Sequence, residues 1–450
     1  MPLATTLSEA SGGLKSARSA LQRWLFRAML AATAILTALR FCHLDADFPL
    51  GINWSGDVYT DEGWYANSAV RHYLFGYWYL QGDFNPMVVM PVAQLMDRMA
   101  LSLFGLGVGS VRILVALASL VVITLTGLIV RRSFGDRAGA LTALIIAASY
   151  PTFAFSRLGI VEPIGTALVV ASLYVADTSG GGRPWRRLIA AALLLVSAAL
   201  AKSTMAFAFP LVAHYAWSSG RNPRHSLLLA LASVVLILGS LGLYHLLISH
   251  VYAADYQSFR TLNVDERKVR GIAGWLVNVV RKLGQMFYFG GAFVGVAAVL
   301  IAAAALLVPA FKRSSLVRVL VAYVILYLGI LTPIWYGPPR YFVPFMVPLA
   351  GLTAIACIGL TTWLGDHERY HRLALAPAVA VAAIVLAGIV RIAGYVSRPH
   401  YTFREMTAGV GDIIRKRGGS ATDTTVVGHM ADSIALQTGI RAMNSKLGTV

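Results

Sequence analysis

The sequence has few charged residues for its length. They make up 13% of its 450 residues, whereas hydrophobic residues make up 57%. A soluble domain carries roughly 25% charged residues, so this chain lacks the polar side chains that would cover a water-exposed surface. Backbone in lipid must satisfy its own hydrogen bonds, which favours helices. The composition therefore predicts an all-α polytopic membrane protein and excludes a soluble globular one.

Acidic residues and cysteines are also scarce. The chain has 20 Asp and Glu against 38 Lys and Arg, which gives a net charge of +18. Most of the excess lies in short loops, where it is typical of a topology signal, so we expect no nucleic-acid partner. The two cysteines, Cys42 and Cys357, lie in apolar runs and offer neither a disulfide framework nor metal-ligand spacing. We therefore expect no metal site and no other cofactor.

Apolar runs are what the sequence has in abundance. About eleven of them approach the roughly 20 residues that cross a bilayer as a helix. They lie near 24–43, 110–130, 138–155, 161–176, 188–204, 205–217, 226–249, 287–309, 319–335, 342–363 and 374–396. The runs at 161–176 and 205–217 are short, which leaves open that they are partly re-entrant.

The charges of the loops indicate an orientation. Basic loops such as "RRSFGDR" and "KRSSLVR" recur on one side of successive spans, the side that also holds the N-terminus. By the positive-inside rule that side is cytoplasmic. We therefore expect a plasma (inner) membrane protein with residues 1–23 cytoplasmic, 24–396 forming the transmembrane domain, and 397–450 extracytoplasmic.

The C-terminal segment is more polar than the rest of the chain. Its stretch "TTVVGHMADSIALQTGI" (424–440) predicts a short strand followed by a helix, the start of a small α/β unit. A unit of about 50 residues is too small to fold alone comfortably. We therefore expect it to continue in a longer version of the chain.

Two segments on the outer side are unusual. Residues 44–109 form a long loop, in which 61–78 and 87–104 mix apolar, aromatic and polar residues as interfacial helices do. Residues 250–286 form the other long outer loop, called here the second outer segment, and it breaks the positive-inside pattern. Its cations are Arg260, Arg267, Lys268, Arg270, Arg281 and Lys282. Either a long loop simply tolerates this charge, or the cations bind something outside the membrane.

Polar residues from four different hairpins fall near the outer ends of the spans. They are Asp61, Glu62, Arg157, Glu162, Lys202, Arg340 and Tyr341. Charges at this depth are costly unless they are paired or lie in a wet cavity. Together they predict a polar cavity at the outer interface, in which acids and bases converge.

Each of these residues also has a purely structural interpretation. Asp61 can cap the helix that follows it, and Glu162 can simply pair with Arg157. Lys202 can extend its charge to the interface, and Arg340 can be an ordinary flanking anchor. The coincidence of all of them on one side favours a site over these separate roles.

The order of motifs resembles the C-type glycosyltransferases. In particular it is similar to the family that includes the protein O-mannosyltransferases and the lipid A aminoarabinose transferase. The stretch "TDEGWYANSAV" looks like that family's first-loop Asp-Glu segment, and "SRLGIVEP" like its second outer loop. The stretches "LAKSTMAFAFP" and "PRYFVPFMVPLA" resemble two further motifs of the family. The similarity covers about residues 20–440.

This resemblance implies an enzyme that moves a sugar from a polyprenyl-phosphate carrier to an outer-face acceptor, which is a protein, a glycolipid or a cell-envelope glycan. The acceptor hydroxyl needs a base, for which Asp61 is the first candidate, with Glu62 orienting it and Glu162 as a further acid. The leaving lipid phosphate needs cations, and without a metal these come from the protein. The candidates for binding the donor phosphate or the substrate are Arg157, Lys202, Arg267, Lys268, Arg270, Arg340, Tyr341 and Tyr65.

Two departures from the family pattern leave the identity of donor and acceptor open. The family often has a cation where this chain has Asn85 and Pro86, and Glu162 stands where the aminoarabinose branch commonly has Asp. Two competing hypotheses are a lipid or solute transporter and a non-catalytic assembly subunit. A transporter site is expected near the midplane, on broken helices related by repeats, whereas these acids fall at the outer edge.

Overall fold

The computed structural model describes residues 3–49, 51–52, 60–177, 184–220, 222–420 and 423–444. Within them the chain is mostly helical. The helices are α1 (Leu3–Ala38), α2 (Asp61–Phe75), α3 (Pro86–Val89), α4 (Pro91–Phe104), α5 (Val108–Ala148), α6 (Tyr150–Phe155), α7 (Val161–Ala176), α8 (Pro184–Ala201), α9 (Phe209–Ser218), α10 (Pro223–Val251), α11 (Ala253–Arg260), α12 (Gly271–Gly290), α13 (Ala292–Leu307), α14 (Pro309–Arg313), α15 (Ser315–Leu331), α16 (Val343–Asp366), α17 (Ala376–Ser397), α18 (Thr402–Lys416) and α19 (Ala431–Thr438). The strands are β1 (Thr425–Val427) and β2 (Arg441–Met443).

Several helices are long and apolar enough to cross a membrane. In the described part of the chain these are Ala20–Phe41, Val108–Ala148, Pro184–Ala201, Pro223–Val251, Pro339–Asp366 and Glu368–Lys416. The pair α12 and α13, bent by 113°, adds a seventh if it counts as one span, and α7 and α15 are shorter apolar helices. This confirms the all-α polytopic membrane class, while the count of eleven spans stays a prediction.

The long helix α5 contains two of the predicted spans. Gly135 interrupts it with φ 82° and ψ 175°, between the predicted spans 110–130 and 138–155. A positive φ is easily adopted only by glycine, so the chain reverses here without a separate loop.

The first outer segment contains the expected pair of helices. Helix α2 begins with Asp61 and Glu62 in its first turn, where carboxylates complement the helix dipole. It ends at Gly76, which has φ 81° and forms a left-handed cap. Helix α4 begins with Pro91 at its first position. The two helices join through the buried Gln94, whose Oε1 accepts from the Ala69 N–H at 3.1 Å.

The second outer segment is not the loop that was expected. Residues 250–286 contain α11, a π-helical turn at Thr261–Asp265 and most of α12. Apolar residues recur at helical spacing in α12, as Ile272, Leu276 and Val280 illustrate. The loop was predicted from the cations in this segment, and the apolar spacing of α12 was overlooked.

The C-terminal segment has the predicted strand and helix and adds a second strand. Strands β1 and β2 are parallel and α19 connects them. Helix α19 packs on the first turn of α2, where a Cβ at Gly63 would lie 2.1 Å from the Ser433 nitrogen. Only glycine permits this approach, so the small unit rests directly on the segment that begins with Asp61.

Candidate active site

A cavity of about 200 Å³ opens between the C-terminal segment and the helix ends that are predicted to face outward. Residues from the first and second outer segments, from the α8–α9 junction, from the turn before α16 and from the β1 and β2 ends line it. They are Thr60, Asp61, Trp64, Tyr65, Val89, Met90, Lys202, Ser203, Thr204, Phe259, Val264, Arg267, Leu331, Ile334, Tyr336, Arg340, Tyr341, His429 and Asn444. The predicted polar cavity is therefore present in the described part of the chain.

Four charged residues converge on one wall of this cavity. The Arg340 Nη1 lies 2.5 Å from the Asp61 Oδ2, and its Nε lies 3.4 Å from the Glu162 Oε1. The Lys202 Nζ lies 3.1 Å from the same Glu162 oxygen. Glu162 is fully buried and does not line the cavity, whereas Asp61, Lys202 and Arg340 do. The two cations are thus held from behind by Glu162 and face the cavity in front.

Breaks in regular helix direct these side chains inward. Lys202 has extended backbone, with φ −153° and ψ 114°, between α8 and the 3-10 helix Ser203–Ala208. Arg340 lies in the 3-10 turn Pro339–Phe342, which follows the extended residue Pro338. Asp61 and Glu162 lie in the first turns of α2 and α7. Helix ends with unpaired backbone amides suit carboxylates and anionic ligands.

Aromatic rings surround the charged wall. The Lys202 Nζ donates to the Tyr65 Oη at 3.3 Å and lies 5.0 Å from the centre of the Tyr341 ring. Burial raises the pKa of Tyr65 well above its usual value, so this phenol stays protonated. Trp64 stacks on Phe84 with ring centres 4.2 Å apart. Such faces suit the C–H surface of a sugar or a prenyl chain.

Glu62 lies outside the cavity, although it is adjacent to Asp61 in the sequence. The Arg112 Nε and Nη2 donate to its two carboxylate oxygens at 2.7 and 2.6 Å, and the Gly159 N–H donates at 2.5 Å. The Arg112 Nη1 donates to the carbonyls of Leu44 and Ala46. This geometry ties α2 to the chain around it and favours a positioning role for Glu62.

Arg157 also lies away from the cavity lining. Its guanidinium donates to the carbonyls of Leu39 and His43 and lies over the rings of Phe153 and Tyr395. The alternative prediction, that Arg157 pairs with Glu162, is also wrong, because Glu162 pairs with Lys202 and Arg340. The side chain instead joins the chain just after α1 to α6 and α17.

Of the basic residues in the second outer segment, Arg267 reaches the cavity. It lines the wall and lies 4.1 Å from the centre of the Tyr336 ring. Lys268 and Arg270 are exposed and are not among the lining residues. The backbone here pairs with the segment before α16, because the Trp335 N–H donates to the Arg267 carbonyl at 2.9 Å.

Sequence reasoning missed Arg112, Thr60, His429 and Asn444. The last two follow the carboxyl ends of β1 and β2, and that position is a recurrent signal for ligand contacts in parallel sheets. This signal could have identified His429, because β1 was predicted from the sequence. It could not have identified Asn444, because β2 was not predicted. Arg112 lies early in an apolar run, where its charge is typical of a flanking anchor.

An Asp-x-Asp pattern at 45–47 also escaped the sequence analysis. The Asp47 carboxylate caps α18 by accepting from the N–H groups of Thr402 and Phe403 at 2.8 and 3.1 Å. Asp45 lies 3.5 Å from Arg404. Both acids thus connect the first outer segment to the C-terminal one. In the described residues, no three His, Cys, Asp or Glu side chains are grouped so that they could hold a metal ion, and independence from metals stays a prediction.

Part of the chain matches a known family by sequence. Residues 86–245 match the family model of dolichyl-phosphate-mannose-protein mannosyltransferase. No curated protein matches the chain by sequence.

Solved structures match over nearly the whole chain. The structure of ArnT from Cupriavidus metallidurans bound to undecaprenyl phosphate has 15% identity and a TM-score of 0.63, with 94% of this chain and 85% of that one covered. Its apo form has 16% identity and a TM-score of 0.62, with 94% and 86% covered. The oligosaccharyltransferase AglB from Archaeoglobus fulgidus, in complex with an inhibitory peptide and a dolichol-phosphate, has 13% identity and a TM-score of 0.55, with 93% and 65% covered.

These matches agree with the resemblance that the sequence motifs indicate. The family model and the neighbouring structures point to glycosyltransferase activity in a multi-pass membrane protein. The chain has the fold of the C-type glycosyltransferase superfamily.

Proposed function

We propose that this chain transfers a sugar from a polyprenyl-phosphate donor to an acceptor hydroxyl on the outer face of the membrane. The observation that carries the proposal is the Asp61–Arg340 ion pair of 2.5 Å, which faces a cavity also lined by Lys202 and Arg267. The match to the family model of dolichyl-phosphate-mannose-protein mannosyltransferase and the likeness to a protein bound to undecaprenyl phosphate support this donor class.

The two partners of the ion pair have different roles in the proposed reaction. The acceptor oxygen attacks the anomeric carbon and gives its proton to the Asp61 carboxylate. The bond between that carbon and the phosphate oxygen breaks, and its electron pair leaves with the lipid phosphate. Arg340 and Lys202 stabilise the charge that develops on the phosphate. Protein cations supply this charge, so we propose that no divalent metal is needed.

The ion pair also couples donor binding to catalysis. A carboxylate paired with a guanidinium is a weak base, because the cation stabilises its charged form. A donor phosphate that binds Arg340 competes with Asp61 for the guanidinium. Asp61 then becomes a stronger base only when the donor is present.

The remaining residues hold this arrangement. Glu162 fixes Lys202 and Arg340 from behind, at 3.1 and 3.4 Å. Tyr65 and Tyr341 lie beside the same cations and offer stacking faces to the sugar. Exposed Lys268 and Arg270 lie outside the cavity lining, and we propose that they attract the anionic donor rather than hold its phosphate. A transporter is the alternative, and the comparisons do not favour it.

The test is a transfer assay with purified protein in lipid nanodiscs. It should consume an undecaprenyl-phosphate sugar and ignore UDP- and GDP-sugars, and a chelator should leave it active. Mass spectrometry of envelope glycolipids and glycoproteins, with and without the gene, identifies the sugar and the acceptor. Transfer from a soluble nucleotide sugar without a lipid carrier would overturn the donor class.

The orientation is part of the same proposal and has its own test. We place the cavity and both termini as the loop charges predict, with the N-terminus cytoplasmic and the C-terminus outside the plasma (inner) membrane. Ser258 and Ser219 are both exposed and lie on opposite predicted sides. In a chain without Cys42 and Cys357, Ser258→Cys should react with an impermeant thiol reagent in intact cells and Ser219→Cys should not. The reverse pattern would invert the topology.

A further inference from the structure

We infer that the C-terminal segment 423–444 supplies the acceptor-binding side of the cavity, with His429 and Asn444 as specificity-determining residues for a neutral saccharide acceptor. The inference rests on the proposed glycosyl transfer and adds to it the element and the chemistry that select the acceptor.

The lining residues form two groups that differ in their chemistry and in the part of the chain that supplies them. The cations Lys202, Arg267 and Arg340, together with apolar residues such as Phe259 and Leu331, come from the membrane-spanning part and the second outer segment. A lipid phosphate and its prenyl chain need these groups. Apart from the Asp61 carboxylate, the hydrogen-bonding side chains left over include no lysine or arginine, and two of them, His429 and Asn444, come from the C-terminal segment. The donor therefore accounts for one side of the cavity and leaves the other to the acceptor.

The position of these two residues in the small sheet supports the same assignment. Strands β1 and β2 are parallel and end at Val427 and Met443. His429 lies two residues beyond β1, and Asn444 follows β2 directly. Ligands of parallel α/β sheets bind at the carboxyl ends of the strands. Both residues thus reach the cavity from the edge of the sheet where ligand contacts are expected.

The segment is fixed against the reacting group. The Ser433 Oγ accepts from the Gly63 N–H at 3.3 Å and donates to the Thr60 carbonyl at 3.2 Å, on either side of Asp61. These bonds and the close Gly63 contact place α19 against the first turn of α2. A ligand that touches His429 or Asn444 is therefore held next to the proposed base.

Asn444 itself is held from two sides. Its backbone N–H donates to the Asp83 Oδ1 at 3.3 Å, and its side-chain Nδ2 donates to the Asp432 Oδ2 at 2.9 Å. The residue is buried although it lines the cavity. An amide with fixed orientation discriminates between ligands by the hydrogen-bonding groups that they present to it.

The chemistry of this side selects a saccharide. An imidazole and an amide are the partners that neutral hydroxyl groups prefer, and no lysine or arginine from 423–444 is among the lining residues. Trp64, Tyr336 and Tyr341 add aromatic faces that stack on sugar rings. A phosphorylated acceptor would require cations here, so the expected ligand is a neutral sugar with several hydroxyl groups.

The experiment uses the full-length protein with an undecaprenyl-phosphate sugar and two acceptor probes. These are a panel of methyl glycosides and a threonine-containing hexapeptide. His429→Ala and Asn444→Ala should each lower kcat/KM for the reactive glycoside about 3- to 10-fold, the value of one hydrogen bond. This loss should exceed any change in the KM for the donor and in the slow hydrolysis of the donor without acceptor. His400→Ala, an exposed histidine outside the cavity lining, is the matched control.

The outcomes separate this inference from the proposed function. A wild-type protein that neither transfers nor hydrolyses the lipid-linked sugar contradicts the proposed function. Wild-type transfer with His429→Ala and Asn444→Ala both equal to His400→Ala contradicts the inference alone. Glycosylation of the peptide but of no glycoside overturns the saccharide class. His429 is exposed, so its variant tests the inference even if Asn444→Ala loosens the segment.

Discussion

Asp61 and Glu62 are neighbours in the chain but lie in two different regions of the molecule. Asp61 lines the cavity and pairs with Arg340, which it shares with Glu162. Glu62 points away from the cavity, and Arg112 and the Gly159 N–H occupy both of its oxygens. Both acids are buried and both are paired with an arginine, so burial and pairing alone do not distinguish them.

The two ion pairs differ in whether a ligand can reach them. The Glu62–Arg112 pair is closed, because backbone carbonyls take the remaining Arg112 donors. The Asp61–Arg340 pair faces a cavity in which an anionic ligand can replace one partner. We interpret the ion pair that a ligand can reach as part of the proposed reaction, and the closed pair as one that positions the chain. The following changes test that distinction.

The largest effect is expected for Asp61→Asn. The change keeps the size of the side chain and removes its basicity. We expect turnover to fall by about 10²–10⁴, the range for loss of a general base, with normal expression and membrane insertion. The measurement is the single-turnover rate with an undecaprenyl-phosphate sugar. The predicted alternative of a helix cap is wrong, because Thr60 holds the cap position and Asp61 begins α2. Transfer at the wild-type rate would leave Asp61 only the role of a first-turn carboxylate that complements the helix dipole.

Arg340 should show the next largest effect. Arg340→Ala removes a cation from the leaving group and frees Asp61, and we expect kcat/KM to fall by about 10²–10³, as for one oxyanion donor. Arg340→Lys keeps the charge but cannot reach both Asp61 and Glu162 with a planar fork, so it should lie between the wild type and the Ala variant. Steady-state kinetics with varied donor concentration resolves the order. Equal activities of the Ala and Lys variants would contradict a role for the fork.

Glu62→Gln should affect the fold more than the chemistry. Breaking a buried ion pair by removing one partner costs about 3–5 kcal/mol, so the melting temperature should fall. The rate per folded molecule should stay within about tenfold of wild type. Arg112→Met is the matched change on the other side of the pair, and the double variant should lose less stability than the sum of the two. A loss of activity with full stability would instead make Glu62 part of the reacting site.

The sequence predicted which residues lie near the cavity, but it did not distinguish those that line it from those that lie behind it. The membrane class and the position of Asp61, Lys202 and Arg340 follow from hydropathy and loop order, because both depend on local composition. The direction of Glu62 depends on Arg112, which is 50 residues away in the chain, and no local pattern encodes that pairing. The helix α12 was missed because cations masked its apolar periodicity.

The C-terminal side of the site shows the same limit. The strand β1 and the helix α19 were predicted from local pattern, yet their contact with α2 was not. That contact depends on Gly63 and Ser433, which are 370 residues apart. A glycine after two acids is unremarkable in the sequence and becomes informative only when the helix that it admits is known.

The smallest expected effect concerns how firmly the C-terminal segment rests beside Asp61. Burial raises the pKa of Asp432 to about 7, and Asp83 adds to this while Asn444 and Arg71 act against it. In the undocked segment the pKa returns to about 3.9. Between about pH 4 and 7 the docked state thus binds a proton that the undocked state lacks, so docking weakens as pH rises through this window and is constant above it.

Hydrogen exchange of the α19 amides at pH 5.5 and 7.5, corrected for intrinsic rates, measures this docking. We expect exchange in the wild type to be several-fold faster at the higher pH, and Asp432→Asn to remove most of the difference because its amide does not titrate. None of the groups that shift the pKa of Asp432 lies in α7, so exchange in α7 should be the same at both values. Equal pH dependence in the wild type and the Asn variant would show that another group controls the docking. It would leave the contrast between Asp61 and Glu62 intact, because that contrast depends on arginine geometry and not on how tightly the segment above it is held.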